Sequence, residues 1–417
     1  QQCSDGKCTK IIHVKSDAAG AGDGSSWANA FTKIQDALSA AQSGNHIWVA
    51  SATYTRKENY DTYVVSLKDG VLLYGGFSGT ETSFDQRGDP LEANKTYIQG
   101  AQNTTCVKAA SNSIIDGFVM TSCVGYGSGG GVYAASVSNL TVSNCSIINN
   151  SAGNGGALYF SSSSYINIEN SEITKNTCNG QGGAIWAASS DVAIVNSRFS
   201  ENKASGFGGA IYGTSSDFTI SSTVFDLNEA TDGGAVNTNV GSVTISNSAF
   251  VKNTSTSCIG GGGAIMSDNS ALAAKNSIFA GNEAKCSFAG AVYNNYDKTR
   301  SFINCTFYDN VSKLGGGGIF NNIQSRPKIV NCILWDTRDP KGDIYDYPGY
   351  GSASSVSYSD IGSGFTGDGN ITADPKFIEP STANFKLQAG SPCIDAANGN
   401  EASITDIEGN PRYDDPA

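Results

Sequence analysis

The chain has 417 residues, 50 of them glycine, with 39% hydrophobic and only 15% charged residues and a formal charge of −12. So much apolar content fills a core and excludes intrinsic disorder, and an acidic surface without a basic patch excludes a nucleic-acid partner. No apolar run reaches the roughly 18 residues of a membrane-spanning helix, so no span is expected.

The chain opens at Gln1-Gln2-Cys3 with no charged, apolar leader, as expected of a secreted or cell-surface chain whose signal has been removed. Eleven cysteines without a Cys-x-x-Cys pair or a Cys/His grouping point to disulfides rather than zinc. Cys3 with Cys8 is the first candidate pair. Asp17 and Asp23 in "SDAAGAGDGSS", like Asp368 further on in "TGDGN", are candidate calcium ligands, but such Gly-rich settings are more often plain turns. No other cofactor is expected. Phe31, Ile34, Ala37 and Leu38 fall at helical spacing, which predicts an amphipathic helix over residues 29–41 lying over the first coil of a repeated structure. A strand at Ile47-Trp48-Val49 comes next, so residues 1–55 read as an N-terminal cap and first strand. Cys106 with Cys123 is the second candidate pair.

Between residues 116 and 337 one phrase recurs. Gly-Gly-Ala-type units centred on Gly131, Ala157, Ala184, Ala210, Ala235, Ala264, Ala291 and Gly318 repeat about every 26 residues. That period is too short for a propeller blade, and the glycine and β-branched content is wrong for a helical repeat. A small polar anchor recurs at Asn144, Asn170, Asn196, Ser222, Asn247, Asn276, Asn304 and Asn331, with apolar residues two and four places before it, as at Ile168 and Ile166. Such alternation is that of a half-buried strand. The next apolar residue comes three places after the anchor (Ile147, Ile173, Phe199, Phe225, Phe250, Phe279, Phe307, Leu334). This step demands a bend, where the anchor is expected to face inward and bond the coils above and below. A second Asn, at 150, 176, 202, 228, 253, 282 and 310, is expected in a left-handed turn. An aliphatic column of Val132, Leu158, Ile185, Ile211, Val236, Ile265, Val292 and Ile319 must face inward. Three short strands per coil, stacked about 4.8 Å apart, predict an all-β, single-domain right-handed parallel β-helix over residues 56–395.

The pairing of Gly-Gly-Ala-Ile with Phe-x-x-Asn, as in Gly208-Gly209-Ala210-Ile211 with Phe199 and Asn202, resembles the repeat of chlamydial polymorphic outer-membrane proteins. "DGSSWANAFTKIQDALSAAQSGNHIWVASATYT" and "VLLYGGFSGTET" resemble the N-terminal end of secreted, pectate-lyase-like β-helix proteins. "GNITADPKFIEPSTANFKLQAGSPCIDAANGNE" and "DIEGNPRYDD" resemble the closing segment of that group, whose members are often held on bacterial surfaces, and residues 396–417 read as a C-terminal tail. The resemblance implies a fold and an extracellular setting; it does not imply an activity.

Only two histidines exist, His13 and His46, both ahead of the repeats, which argues against a Ser-His-Asp or Cys-His system on the coils. The Gly-His-Gly signature of polygalacturonase-like enzymes is missing. Arg198, Lys203, Lys175 and Glu201 can be drawn as a lyase-like cluster, but Lys175 and Glu201 share an outward column and suit an exposed ion pair better. One place after the aliphatic column run Tyr133, Tyr159, Trp186, Tyr212, Asn237, Met266, Tyr293 and Phe320. Alternation sends these outward as an aromatic stripe, either holding the coils together or offering a platform to sugar rings or a partner protein. Tyr345, Tyr347 and Tyr350 in "DIYDYPGY" form a second aromatic group. Cys258 with Cys286, and Cys305 with Cys332, complete the candidate disulfides. The function expected is structural or adhesive, with an extracellular polysaccharide or surface protein as partner. The alternatives are a polysaccharide lyase or hydrolase and a self-associating filament subunit.

Overall fold

The computed structural model describes residues 2–4, 7–56, 61–296, 298–335 and 339–412, with side chains from Lys10 onward. They fall into two compact units, Gln1–Arg198 and Phe199–Ala417. The Cys3–Cys8 pairing lies outside the described side chains.

In the first unit a coil runs through strands Val132–Ala135, Ser138–Ser143, Ser146–Ile148 and Ser151–Ala152. Each pairs in parallel with its counterpart in the next coil, Val132 opposite Leu158, Val142 opposite Ile168, Ile147 opposite Ile173 and Ala152 opposite Cys178. The second unit repeats this, but there Ile211–Ser221, Val236–Ser246 and Ile265–Lys275 pass through the bend between the first two strands as single eleven-residue strands. The aliphatic column faces inward as expected, with Leu158, Ile185, Ile211, Val236 and Ile265 all fully buried. Its second-unit members stand opposite one another from Ile211 to Ile319. Beside it Phe199, Phe225, Phe250, Phe279 and Phe307 stack at 4.6–5.0 Å, planes within 12°.

The bends correct two expectations. The anchors are themselves the left-handed residues, with φ between 47° and 55° from Asn144 to Asn331. Each anchor's side chain therefore points out of the coil, and the residue after it turns in. Those inward residues build the ladder: Cys145 N–H donates to Ser171 Oγ, Thr223 N–H to Ser248 Oγ and Ser248 N–H to Ser277 Oγ, at 3.1–3.2 Å. The second Asn column is likewise displaced by one. Left-handed backbone sits just before it, at Lys175, Leu227, Lys252 and Asp309, and the Asn faces inward, fully buried at 176, 228, 253, 282 and 310. One left-handed residue per bend absorbs the odd step, so the in-out alternation resumes on the far side.

A glycine opens the first strand because the backbone there is left-handed and crowded. At Gly182 φ is +70° and a Cβ would lie 2.1 Å from the carbonyl oxygen of Ile185. The predicted helix is shorter than expected, Ile34–Ala40, with Ile34, Ala37 and Leu38 buried; Phe31 instead bridges to Val14 as extended chain. In the second unit the closing segment folds back on the coils: Phe377–Glu379 pairs antiparallel with Asn384–Leu387, and residues 398–405 lie along the outward anchors. There Asn276 and Asn331 donate through Nδ2 to the carbonyl oxygens of Thr405 and Asn398, and Asn304 to Ser403 Oγ, at 3.0–3.1 Å.

Candidate functional site

Outward side chains of the first strand carry the aromatic residues, and the two units treat them differently. In the first unit Tyr133, Tyr159 and Trp186 are half-buried. Tyr133 and Tyr159 have centroids 5.3 Å apart and planes within 4°; Tyr159 and Trp186 are 4.5 Å apart and within 3°. Rings laid flat side by side on a surface cannot approach so closely, so these overlap face to face. The middle ring thus offers solvent its edge, and the stacked rings tie neighbouring coils together.

In the second unit the exposure expected of the stripe does not hold. Tyr212, Tyr293 and Phe320 are buried, at 8%, 6% and 1% exposure. The loops that precede each first strand fold over them: Phe207 packs on Tyr212, and Phe288 stacks on Phe320 at 4.3 Å. Burial pushes the Tyr293 hydroxyl up to about 12, and it accepts a hydrogen bond from Asn322 Nδ2 at 3.1 Å.

The second aromatic group continues this cluster outward. Tyr345 and Tyr347 are half-buried against Phe288 and Phe320, with the Lys341 ammonium 4.5 Å above the Tyr345 ring. Tyr350 is 55% exposed. Its ring stacks on that of Tyr347, at 5.7 Å and 19°. It stands at the edge of an aromatic terrace with a buried foundation.

The titratable groups are mostly structural. The buried Arg87–Asp116 pair, 2.5 Å apart, is fastened by Ser143 Oγ and Asn144 Nδ2 donating to Asp116 Oδ2. His13 sits edge-on to Trp27 at 4.6 Å, and burial lowers its pKa, as it does for His46. Lys203 makes an exposed ion pair with Glu229 at 2.6 Å. Asp17 pairs with Lys15 at 3.7 Å, and Asp23 accepts the Ser25 N–H, as a turn residue does. Asp232 is the group that sequence reading missed. Burial raises its carboxyl above the usual range, and the loop carrying Ser257 and Gly261 bonds it. Among the described residues no three His, Cys, Asp or Glu side chains gather as a metal cluster.

Two expected disulfides are formed, Cys106–Cys123 and Cys258–Cys286. The third is not: Cys305 and Cys332 are buried thiols. They occupy the inward place of the bend ladder, where Cys305 N–H donates to Cys332 Sγ at 3.4 Å and Cys332 N–H to Ser359 Oγ at 3.1 Å. Here sulfur does the work that serine does elsewhere, which same-column spacing cannot distinguish from a bridge.

No curated protein matches the sequence. Among solved structures the chain is similar to pectate lyase Pel9A, at 15% identity and TM-score 0.47, covering 98% of this chain and 97% of that one. It is similar to a rhamnogalacturonan lyase, at 13% identity and TM-score 0.45 over 92% and 95%. It is also similar to PfbA, a surface adhesin of Streptococcus pneumoniae, at 12% identity and TM-score 0.36 over 84% and 94%. At these identities and scores the likenesses carry no argument about activity. Residues 84–278 match the family model of the right handed beta helix region, and with the parallel register of the coils this makes the chain an all-β, right-handed parallel β-helix.

Proposed function

We propose that this is an extracellular adhesive β-helix that holds a polysaccharide on the aromatic terrace of its second unit and does not cleave it. The observation that carries the reading is Tyr350, an aromatic ring more than half exposed and backed by Tyr347, Tyr345 and Phe320. A sugar ring stacks its C–H face on such a surface at little entropic cost, because the platform is already ordered. Two disulfides support a secreted or surface location, as does the likeness of the repeat to chlamydial surface proteins. In this reading the helix Ile34–Ala40 caps the first coil and shields its edge.

The test is affinity electrophoresis against acidic and neutral polysaccharides, with the same mixtures assayed for new reducing or unsaturated ends. Tyr350→Ala is expected to weaken retention at least tenfold with an unchanged melting temperature. Unchanged retention would refute the terrace, and steady release of new chain ends would refute the non-catalytic role.

A further inference from the structure

The closing segment is fixed to the coils of the second unit in two different ways. We propose that its last part, residues 396–412, is a polar strap that opens and recloses on the coils as a unit, while the part before it stays docked.

The docked part is held by apolar packing. Phe377 is buried, and the rings of Phe377 and Phe385 meet that of Tyr308 at 5.8 and 5.4 Å. Ser391 is buried as well and donates through Oγ to the Pro375 carbonyl oxygen, and the Cys393 thiol donates to Asp360 Oδ2 at 3.0 Å. Beyond Cys393 the character changes. None of residues 394–412 is buried, and Ile404 turns an apolar side chain to water at 87% exposure. The bonds that tie this stretch to the coils are polar. Asn398 and Asn331 pair reciprocally, Asn398 N–H donating to Asn331 Oδ1 at 2.7 Å and Asn331 Nδ2 to the Asn398 carbonyl oxygen at 3.0 Å. Asn304 and Asn276 add one bond each, to Ser403 and Thr405. Lys328 meets Glu401 at 2.6 Å, both partly exposed, and Lys386 of the docked part meets Glu408 at 2.9 Å.

Such a contact breaks without stranding a polar group. The anchors keep one another when the strap leaves, because Asn304 Nδ2 also donates to Asn276 Oδ1 and Asn276 Nδ2 to Asn247 Oδ1, at 3.3 and 3.2 Å. The strap keeps its own end folded, with Thr405 bridging Pro411 and Asp406 accepting the N–H groups of Glu408 and Asn410. Lifting the strap wets the groups it releases, so no buried donor or acceptor is orphaned. A stretch with few buried apolar contacts and solvent-facing hydrogen bonds lies at the low end of local stability, and salt weakens its exposed ion pairs further. Opening is therefore local. Closed, the strap walls a groove of about 820 Å³ against the coils, so its motion sets access to that space.

The strap does not depend on the aromatic terrace, and no ligand is needed to test it. Digestion of the full chain with a glutamate-specific protease is the experiment, with a synthetic peptide of residues 394–412 supplying the rate of the fully open state. The full chain is expected to be cut first at Glu401 or Glu408, more slowly than the peptide, while Glu229 and Glu283 in the coils stay uncut. Asn331→Ala is expected to speed cleavage of the strap about fivefold or more and Lys328→Gln about twofold or more, with unchanged melting temperatures. Raising the salt to about 0.5 M acts in the same direction once the peptide's own rate is divided out. Lys328 is half-exposed, so its variant keeps the test decisive should Asn331→Ala melt early. Cleavage as fast as that of the peptide would mean that there is no closed state. Cleavage only together with the coils would mean that there is no separate opening, and a rate that neither substitution changes would remove the latch. Each of these three outcomes overturns the proposal.

Discussion

Asn253 shows how much rests on single buried polar residues. Its Oδ1 accepts the Asn228 N–H at 3.0 Å and the Asn228 side-chain amide at 2.9 Å, and its Nδ2 donates to the Phe225 carbonyl oxygen at 2.9 Å. All of this lies where water does not reach. Asn253→Ala strips a partner from two buried donors and two buried acceptors at once, Asn282 Oδ1 being the second acceptor, so a loss of about 2–4 kcal/mol is expected. Urea denaturation followed by circular dichroism would measure it; a loss below about 1 kcal/mol would mean that the ladder is dispensable. Asn247, six residues earlier, is half-exposed with φ +48°, and its replacement by Gly is expected to be nearly neutral. Read from sequence, these two columns exchange roles. Both are Asn, both recur with the coil, and periodicity alone says that a column exists without saying on which side of the wall it stands. The missing signal was available one residue away: Cys145, Ser171, Ser197, Thr223, Ser248 and Ser277 form an unbroken small polar column just after the anchors.

Strands and their outward columns were legible where alternation is clean, and illegible where a loop intervenes. Leu158, Ile185 and Ile265 are correctly inward because a period of two leaves no choice. Alternation likewise places Tyr293 and Phe320 outside the coil, but it cannot see Phe288 lying over Phe320 from a variable loop. In the first-unit ladder the rings hold one another. Tyr159 is stacked on both faces, by Tyr133 and by Trp186, so Tyr159→Ala removes two ring contacts and their half-buried area. A destabilisation of about 2 kcal/mol is expected, with polysaccharide retention unchanged. Loss of retention without loss of stability would show the ladder to be a platform after all.

For the molecule as a whole, charge and burial combine in the response to acid. The folding back of the closing segment escaped sequence reading because its contacts are remote, as in that of Asn276 with Thr405, 129 residues away, and the desolvated carboxyls escaped for the same kind of reason. Burial raises the pKa values of Asp232, Asp339 and Asp360. In the unfolded chain these groups titrate near pH 4; folded, they keep their protons to higher pH. Between those two limits the folded state binds more protons, so the stability they contribute is complete below the unfolded pKa and is lost as pH rises through the raised value. Glu81 acts in the opposite sense. Burial would raise its pKa, but N–H groups of Ser78, Gly79 and Thr80 donate to the carboxylate and hold it below the usual range, so its contribution disappears in stronger acid. Mild acid also relieves the self-repulsion of a chain with formal charge −12. The melting temperature is therefore expected to rise as pH falls from 7 toward the unfolded carboxyl range near pH 4 and to drop again in stronger acid. Combining Asp232→Asn, Asp339→Asn and Asp360→Asn is expected to raise the pH 7 value and flatten that slope. Differential scanning calorimetry at half-unit steps decides the matter: a melting temperature that only falls as pH is lowered from 7, or a triple variant with the parent's slope, would mean that these carboxyls do not govern the response.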